Sequence, residues 1–135
     1  MVTFNLVSGV QFDIAPPGAS GKIPGGPLYD LGRVHSILKD GEGLLLWTRS
    51  CTRNVRDLGW ECADVADLLL QLQRSDYRGS EWCESGRGAY AACDAYAIRL
   101  REWVAAAHKH MLVEYFVKFA INPAGTVVLA VSCHI

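Results

Sequence analysis

His134 and Lys118 are side chains whose types and settings could carry chemistry. His134, one residue from the end of the chain, carries an imidazole, a group that can give or take a proton in a reaction. Lys118 interrupts the apolar run Phe116-Val117-Lys118-Phe119. Lysine is seldom fully buried, so Lys118 is expected at solvent or at a site. Arg78, Arg99 and Arg101 supply guanidinium groups, which bind phosphate through paired hydrogen bonds. On an extended strand Arg99 and Arg101 share a face. Tyr77, Trp82 and Tyr90 crowd one polar stretch, and aromatic rings are platforms on which unpaired bases stack. Each residue also has a plainer reading. His134 suits an exposed terminal histidine, the arginines suit surface ion pairs, and the aromatics suit a loop pinned to the core. Asp94 fits a base-orienting carboxylate and a strand-end hydrogen bond equally well.

The cysteines point elsewhere. Five of them, at 51, 62, 83, 93 and 133, form no CxxC pair, so neither a disulfide framework nor a zinc site is expected. Cys133 and His134 are adjacent, and neighbours on a strand point to opposite faces. A Cys93–His134 nucleophile pair would define a small thiol hydrolase, but no oxyanion motif accompanies it. The sequence therefore implies no metal and no cofactor. With 13 basic and 14 acidic residues the net charge is −1, which works against a strongly basic nucleic-acid binder. Half of the 135 residues are hydrophobic, enough for one well-packed domain. No apolar run is long enough for a membrane span, and none begins the chain as a leader would. With its unpaired thiols, the chain is expected in a reducing cytoplasm.

Those residues need elements to hold them. Residues 2–14 alternate loosely and suggest an edge strand or a hairpin around Ser8-Gly9. Ala15 to Pro27 carries four of the five prolines and reads as a linker or surface arm. The expected organisation is thus an arm over 1–27 and a domain over 28–135. Asp30 can cap a helix whose Leu31, Val34, Ile37 and Leu38 form one stripe. Gly43 to Thr48 is a short apolar run, strand or loop. Arg49 to Leu58 suits a second short helix. Asp64 opens a third, with Val65, Leu68, Leu69 and Leu72 at helical spacing. Residues 74–90 are polar and turn-rich and read as a long, functional loop. Tyr96, Ile98 and Leu100 alternate as in a strand. Val104 to His110 reads as a short helical or looped excursion. Leu112 to Ile121 and Thr126 to Cys133 flank Asn122-Pro123-Ala124-Gly125 as a hairpin. Helices first and a strand meander after them imply an α+β fold, short N-terminal helices packed on an antiparallel sheet.

From Leu28 onward, several segments stand in a familiar order: Tyr29-x-Leu31, Trp47-Thr48-Arg49-Ser50, Leu58-Gly59, and the Asp64 helix running to Leu72-x-x-Ser75-Asp76-Tyr77. Cys93-Asp94-Ala95-Tyr96, Tyr115-Phe116-Val117-Lys118 and Val128-Leu129-x-Val131-Ser132 follow. In that order and spacing, over roughly a hundred residues, the chain resembles the MqsR toxins of toxin–antitoxin pairs, which have a RelE-like fold. The resemblance implies a metal-independent endoribonuclease that cleaves single-stranded mRNA and is silenced by a cognate antitoxin protein. Four active-site positions depart from the family pattern. Its catalytic Lys falls at Gly79, beside Arg78, and its Gln at Cys93. Its Tyr falls at Phe116, beside Tyr115, and its terminal Lys at His134. The resemblance thus implies a site rebuilt from Arg78, Tyr115, Lys118 and His134, with Arg99, Arg101, Tyr77 and Tyr96 contacting RNA. Two alternatives stay open: a non-catalytic relative that binds a protein or RNA partner, and a small Cys- or metal-dependent hydrolase.

Overall fold

The computed structural model describes residues 5–6, 21–39, 41–85 and 88–135. The hairpin expected around Ser8-Gly9 lies outside them. Among the described residues the chain is α+β. Three helices, α1 (Leu31–Lys39), α2 (Arg49–Asp57) and α3 (Cys62–Leu70), pack on a mixed sheet. Its strands are β1 (Asn5–Leu6), β2 (Lys22–Ile23), β3 (Leu44–Leu46), β4 (Tyr77–Glu84), β5 (Ala89–Val104), β6 (Lys109–Ile121) and β7 (Val128–His134). The sheet runs β2-β4-β5-β6-β7-β3, with β1 added parallel to β5. β4 to β7 form an antiparallel meander, and β3 joins β7 in parallel.

The helices follow from local chemistry. The Asp30 carboxylate accepts the Arg33 N–H at 3.0 Å, and α1 buries Val34 and Leu38. α3 starts two residues before Asp64. That residue instead completes a reciprocal cap with Glu61, accepting the Glu61 N–H at 2.8 Å. Val65, Leu68 and Leu69 face the core as their spacing requires. α2 is capped by Thr48, whose Oγ1 accepts the Cys51 N–H at 2.9 Å and donates to the Val131 carbonyl at 2.7 Å. One hydroxyl therefore ties α2 to β7. Thr48→Ala removes both bonds and is expected to cost about 2 kcal/mol, read as a lower urea midpoint at unchanged slope.

One expectation is corrected and two are made definite. Residues 74–90 are not a loop: Tyr77–Glu84 is β4, paired in register with Tyr90–Tyr96. The segment over 21–27 is not a free linker either. Ile23 is buried, Lys22–Ile23 pair with Ser80–Glu81, and the Trp82 N–H donates to the Gly21 carbonyl. The excursion near Val104 is a short 3-10 turn, Ala105–Ala107, followed by His108 in the left-handed region at φ 50°. It joins β5 and β6 as a hairpin.

β5 and β6 outrun their neighbours. β4 stops pairing at Tyr96 and β7 at Phe116, while β5 and β6 stay paired to Val104–Lys109. The outer part is a two-stranded ribbon. One face of the meander holds Tyr96, Ile98, Tyr115, Val117, Phe119 and Cys133 in the core with the helix residues. The opposite face is closed at Ala91, Cys93 and Ala97 and open at Arg99, Arg101, Leu112, Phe116 and His134.

Candidate functional site

Directly paired side chains in a sheet point the same way. The register therefore sets rows on the open face: Ala95–Lys118–Ser132, Ala97–Phe116–His134, Arg99–Glu114, Arg101–Leu112 and Trp103–His110. Four of the residues singled out from the sequence, Arg99, Arg101, Lys118 and His134, thus share one surface. Aromatic rings stand among them. Phe116 is 41% exposed, with its centroid 5.8 Å from the His134 ring. Trp103 is 57% exposed and meets His110 edge-on at 5.4 Å.

At the Lys118 end lies a cleft of about 610 Å³. Its walls are the start of α2 (Thr48, Arg49 and Ser50), residues 81–85 at the end of β4, and Val131 and Ser132 of β7. β7 carries an extra residue at Val131, because Lys118 pairs with Ser132 and Phe119 with Ala130. The bulge lets both Val131 and Ser132 reach the cleft. Inside it Lys118 Nζ meets Glu81 Oε1 at 2.6 Å. Burial works against the Lys118 charge, but the hydrogen bond and attraction of Glu81 outweigh it, and its pKa is raised. The ammonium is therefore fully present at neutral pH. Beside it the Cys83 thiol is shifted down, first by the hydrogen bond with Cys93 and then by Lys118, against burial and Glu81.

The other expected site residues lie elsewhere. Tyr115 faces the helices, buried, with its ring 5.1 Å from Trp60 and its hydroxyl donating to Glu102 at 3.4 Å. It cannot reach a substrate on the open face. Tyr96 is 2% exposed and stacks on Phe119 at 5.5 Å, so it offers no ring face to a base. Burial pushes its hydroxyl up to about 12. Tyr77 packs edge-on against Tyr96, and its hydroxyl is 2.6 Å from Ser80 Oγ. Arg78 is exposed near the start of β4, donating to the Ser75 and Tyr77 carbonyls at 3.3 Å, and does not line the cleft. Asp94 is a structural acceptor: fully buried, it takes the N–H groups of Leu28 and Tyr29 and the Ser80 hydroxyl.

Glu81 and Ser132 were not singled out for chemistry, and Cys83 only as one of the cysteines weighed for a metal site. Glu81 and Cys83 fell in the stretch read as a loop. Read as a strand, its period of two would have put them on one face. Ser132 stood in a quoted segment, but only the bulge at Val131 aims it at the cleft.

What the arrangement can do is bounded by its groups. A lysine, an arginine at a helix start and three serines suit a phosphate. A carboxylate and an imidazole on the same face suit proton transfer. Lys118 and His134 are diagonal neighbours across β6 and β7, a relation of about 7–8 Å, which one phosphodiester linkage spans. The Cys133 thiol of the adjacent pair faces the helices and is pushed up to about 11 by burial. Cys133 and His134 therefore cannot chelate one ion. Compared with protein-family models and with curated proteins, the chain matches none.

Proposed function

We propose that this chain is a metal-independent endoribonuclease acting on single-stranded RNA, with a RelE-like fold and an MqsR-like place in a toxin–antitoxin pair. One observation carries the reading. Arg99, Arg101, Lys118 and His134 share an open, aromatic-studded face that ends in a cleft with an acid–base pair. An exposed antiparallel face with cationic and aromatic side chains suits unpaired bases and their phosphates. The scissile phosphate sits over Lys118, which neutralises the charge that grows on its oxygens in the transition state. Glu81 accepts the proton of the attacking 2′-hydroxyl, and protonated His134 gives one to the departing 5′-oxygen. The products are a 2′,3′-cyclic phosphate and a free 5′-hydroxyl. The partners this implies are an mRNA substrate and a cognate antitoxin protein. The free thiols suit a reducing cytoplasm. No helix among the described residues is long and apolar enough to cross a membrane.

A mixed-sequence, unstructured RNA incubated with the protein and EDTA tests this. Cyclic-phosphate ends should appear. DNA of the same sequence should survive, because it lacks the nucleophile. Intact RNA across a range of protein concentrations would reject the nuclease reading.

A second reading has its own support. Glu81 neutralises Lys118, and Glu114 holds Arg99 at 3.0 Å, so two of the cations are already paired. That pattern favours a non-catalytic relative binding RNA or a protein over the same face. It predicts retention of RNA on the protein without cleavage.

A further inference from the structure

Cys83 of the cleft wall and its buried neighbour Cys93 are unused by the ribonuclease reading. Cys83 of β4 lines the cleft and is half-buried. Cys93 of β5 is fully buried. The register pairs Cys83 with Ala91 and Cys93 with Glu81, so the two thiols are diagonal neighbours on one face of adjacent antiparallel strands. The Cys93 thiol donates to the Ala91 carbonyl at 3.6 Å, and hydrogen bonding between the two thiols lowers the pKa of Cys83 and raises that of Cys93. Lys118 of β6, fixed by its 2.6 Å contact with Glu81, lies beyond β5 and sets its positive charge near both thiols.

We propose that Cys83 is a reactive thiol, a site of oxidation and alkylation opening into the cleft, with Cys93 beneath it as the resolving thiol. The argument is geometric and independent of whether the cleft cleaves RNA. A thiolate needs donors to hold its charge and an opening through which to be attacked. Cys83 has the Cys93 S–H and the Lys118 ammonium for the first and the cleft for the second. The remaining cysteines each lack one condition. Cys51 and Cys133 are closed into the core, and burial pushes their thiols up to about 12 and about 11. Cys93 is equally enclosed, and its hydrogen bond to Cys83 and its burial raise it well above the ordinary range. Cys62 is exposed at the start of α3 and serves as an internal reference.

With hydrogen peroxide as oxidant the chemistry closes in two steps. The Cys83 thiolate attacks one peroxide oxygen. An S–O bond forms, the O–O bond breaks, and the leaving hydroxide takes a proton to become water. Sulfur loses two electrons and peroxide gains them. Cys93 then attacks the Cys83 sulfenic sulfur. An S–S bond forms, the S–O bond breaks, and the departing hydroxide leaves as water with the Cys93 proton.

The test uses the full reduced chain under native conditions at neutral pH. A brief pulse of iodoacetamide, followed by peptide mapping, should label Cys83 several-fold faster than Cys62. Cys51, Cys93 and Cys133 should stay unlabelled until the protein is denatured. Peroxide treatment should yield one linked peptide pair, Cys83–Cys93. In the Cys93→Ser variant, dimedone should instead trap Cys83 as a sulfenic-acid adduct. Labelling of Cys62 ahead of Cys83 in the native protein overturns the reactive thiol, and that readout depends on no variant. A Cys83 adduct without the Cys83–Cys93 link in the native chain overturns the resolving role of Cys93.

Discussion

If the chain cleaves RNA as proposed, Lys118→Met is expected to lower the rate by about 10²- to 10³-fold, the usual loss when one preorganised charge is removed from a transition state. Methionine is close to the lysine stem in length and leaves the packing of β6 undisturbed. Its cost should fall on kcat more than on KM, because the ammonium acts on charge that develops only as the 2′-oxygen adds to phosphorus. The substitution also releases Glu81 from its ion pair. Lys118→Arg separates charge from shape: it keeps the cation but not the compact contact to Glu81, and an intermediate rate is expected. Single-turnover cleavage of a labelled RNA reads both variants. A rate for Lys118→Met within threefold of the wild type would remove Lys118 from the chemistry. Binding that falls with no cleavage in any form would move the reading to the non-catalytic relative.

Asp94→Ala should be the most damaging single change to the fold, at about 3–5 kcal/mol. The Asp94 carboxylate accepts the Leu28 N–H at both oxygens, at 3.0 Å each, the Tyr29 N–H at 3.0 Å and the Ser80 hydroxyl at 2.6 Å. The serine hydrogen goes to the carboxylate, so the Tyr77 hydroxyl donates to Ser80 Oγ. One side chain of β5 thus anchors the entry to α1 and the start of β4. Gly26 completes the joint, because a side chain there would run into the Tyr77 hydroxyl and Ser80 Oγ. Alanine would strand three donors, the buried Tyr29 N–H and Ser80 hydroxyl and the half-buried Leu28 N–H, a buried one costing about 1–3 kcal/mol when left without an acceptor. Asp94→Asn keeps one acceptor oxygen and should lose less. Urea unfolding of both variants tests the ordering, and a loss below 1 kcal/mol for Asp94→Ala would contradict the account.

Local patterns explain which parts of the fold were legible. The stripes Leu31–Val34–Leu38 and Val65–Leu68–Leu69 are helical by spacing alone, and the alternation around Tyr96 and Ile98 is strand-like by spacing alone. β4 was illegible for a physical reason. Arg78, Gly79, Ser80, Glu81 and Glu84 have poor strand propensity, and their pairing comes from β5 and from the buried Ser80–Asp94 bond, both distant in sequence. The same misreading hid Glu81 and Cys83 from the site. Tyr96 and Tyr115 were visible as aromatics but not as inward-facing ones. A single phase error on a strand exchanges the two faces, and only the register of β5 with β6 fixes the phase. Lys118 was readable because a charge within an apolar strand is conspicuous in any register.

The tip of the β5–β6 ribbon, from Arg101 and Leu112 outward, pairs with no third strand among the described residues, whereas Ile98, Leu100, Val113 and Tyr115 below it pack on the core. The length of the tip is therefore nearly decoupled from the stability of the body. Adding or deleting two residues in each strand keeps every side chain on its face and moves the Trp103–His110 pair by roughly 7 Å along the strand axis. Adding one would swap the faces. The protrusion can thus be measured out in pairs of residues, like the jaw of a caliper, while the cleft around Lys118 keeps its shape.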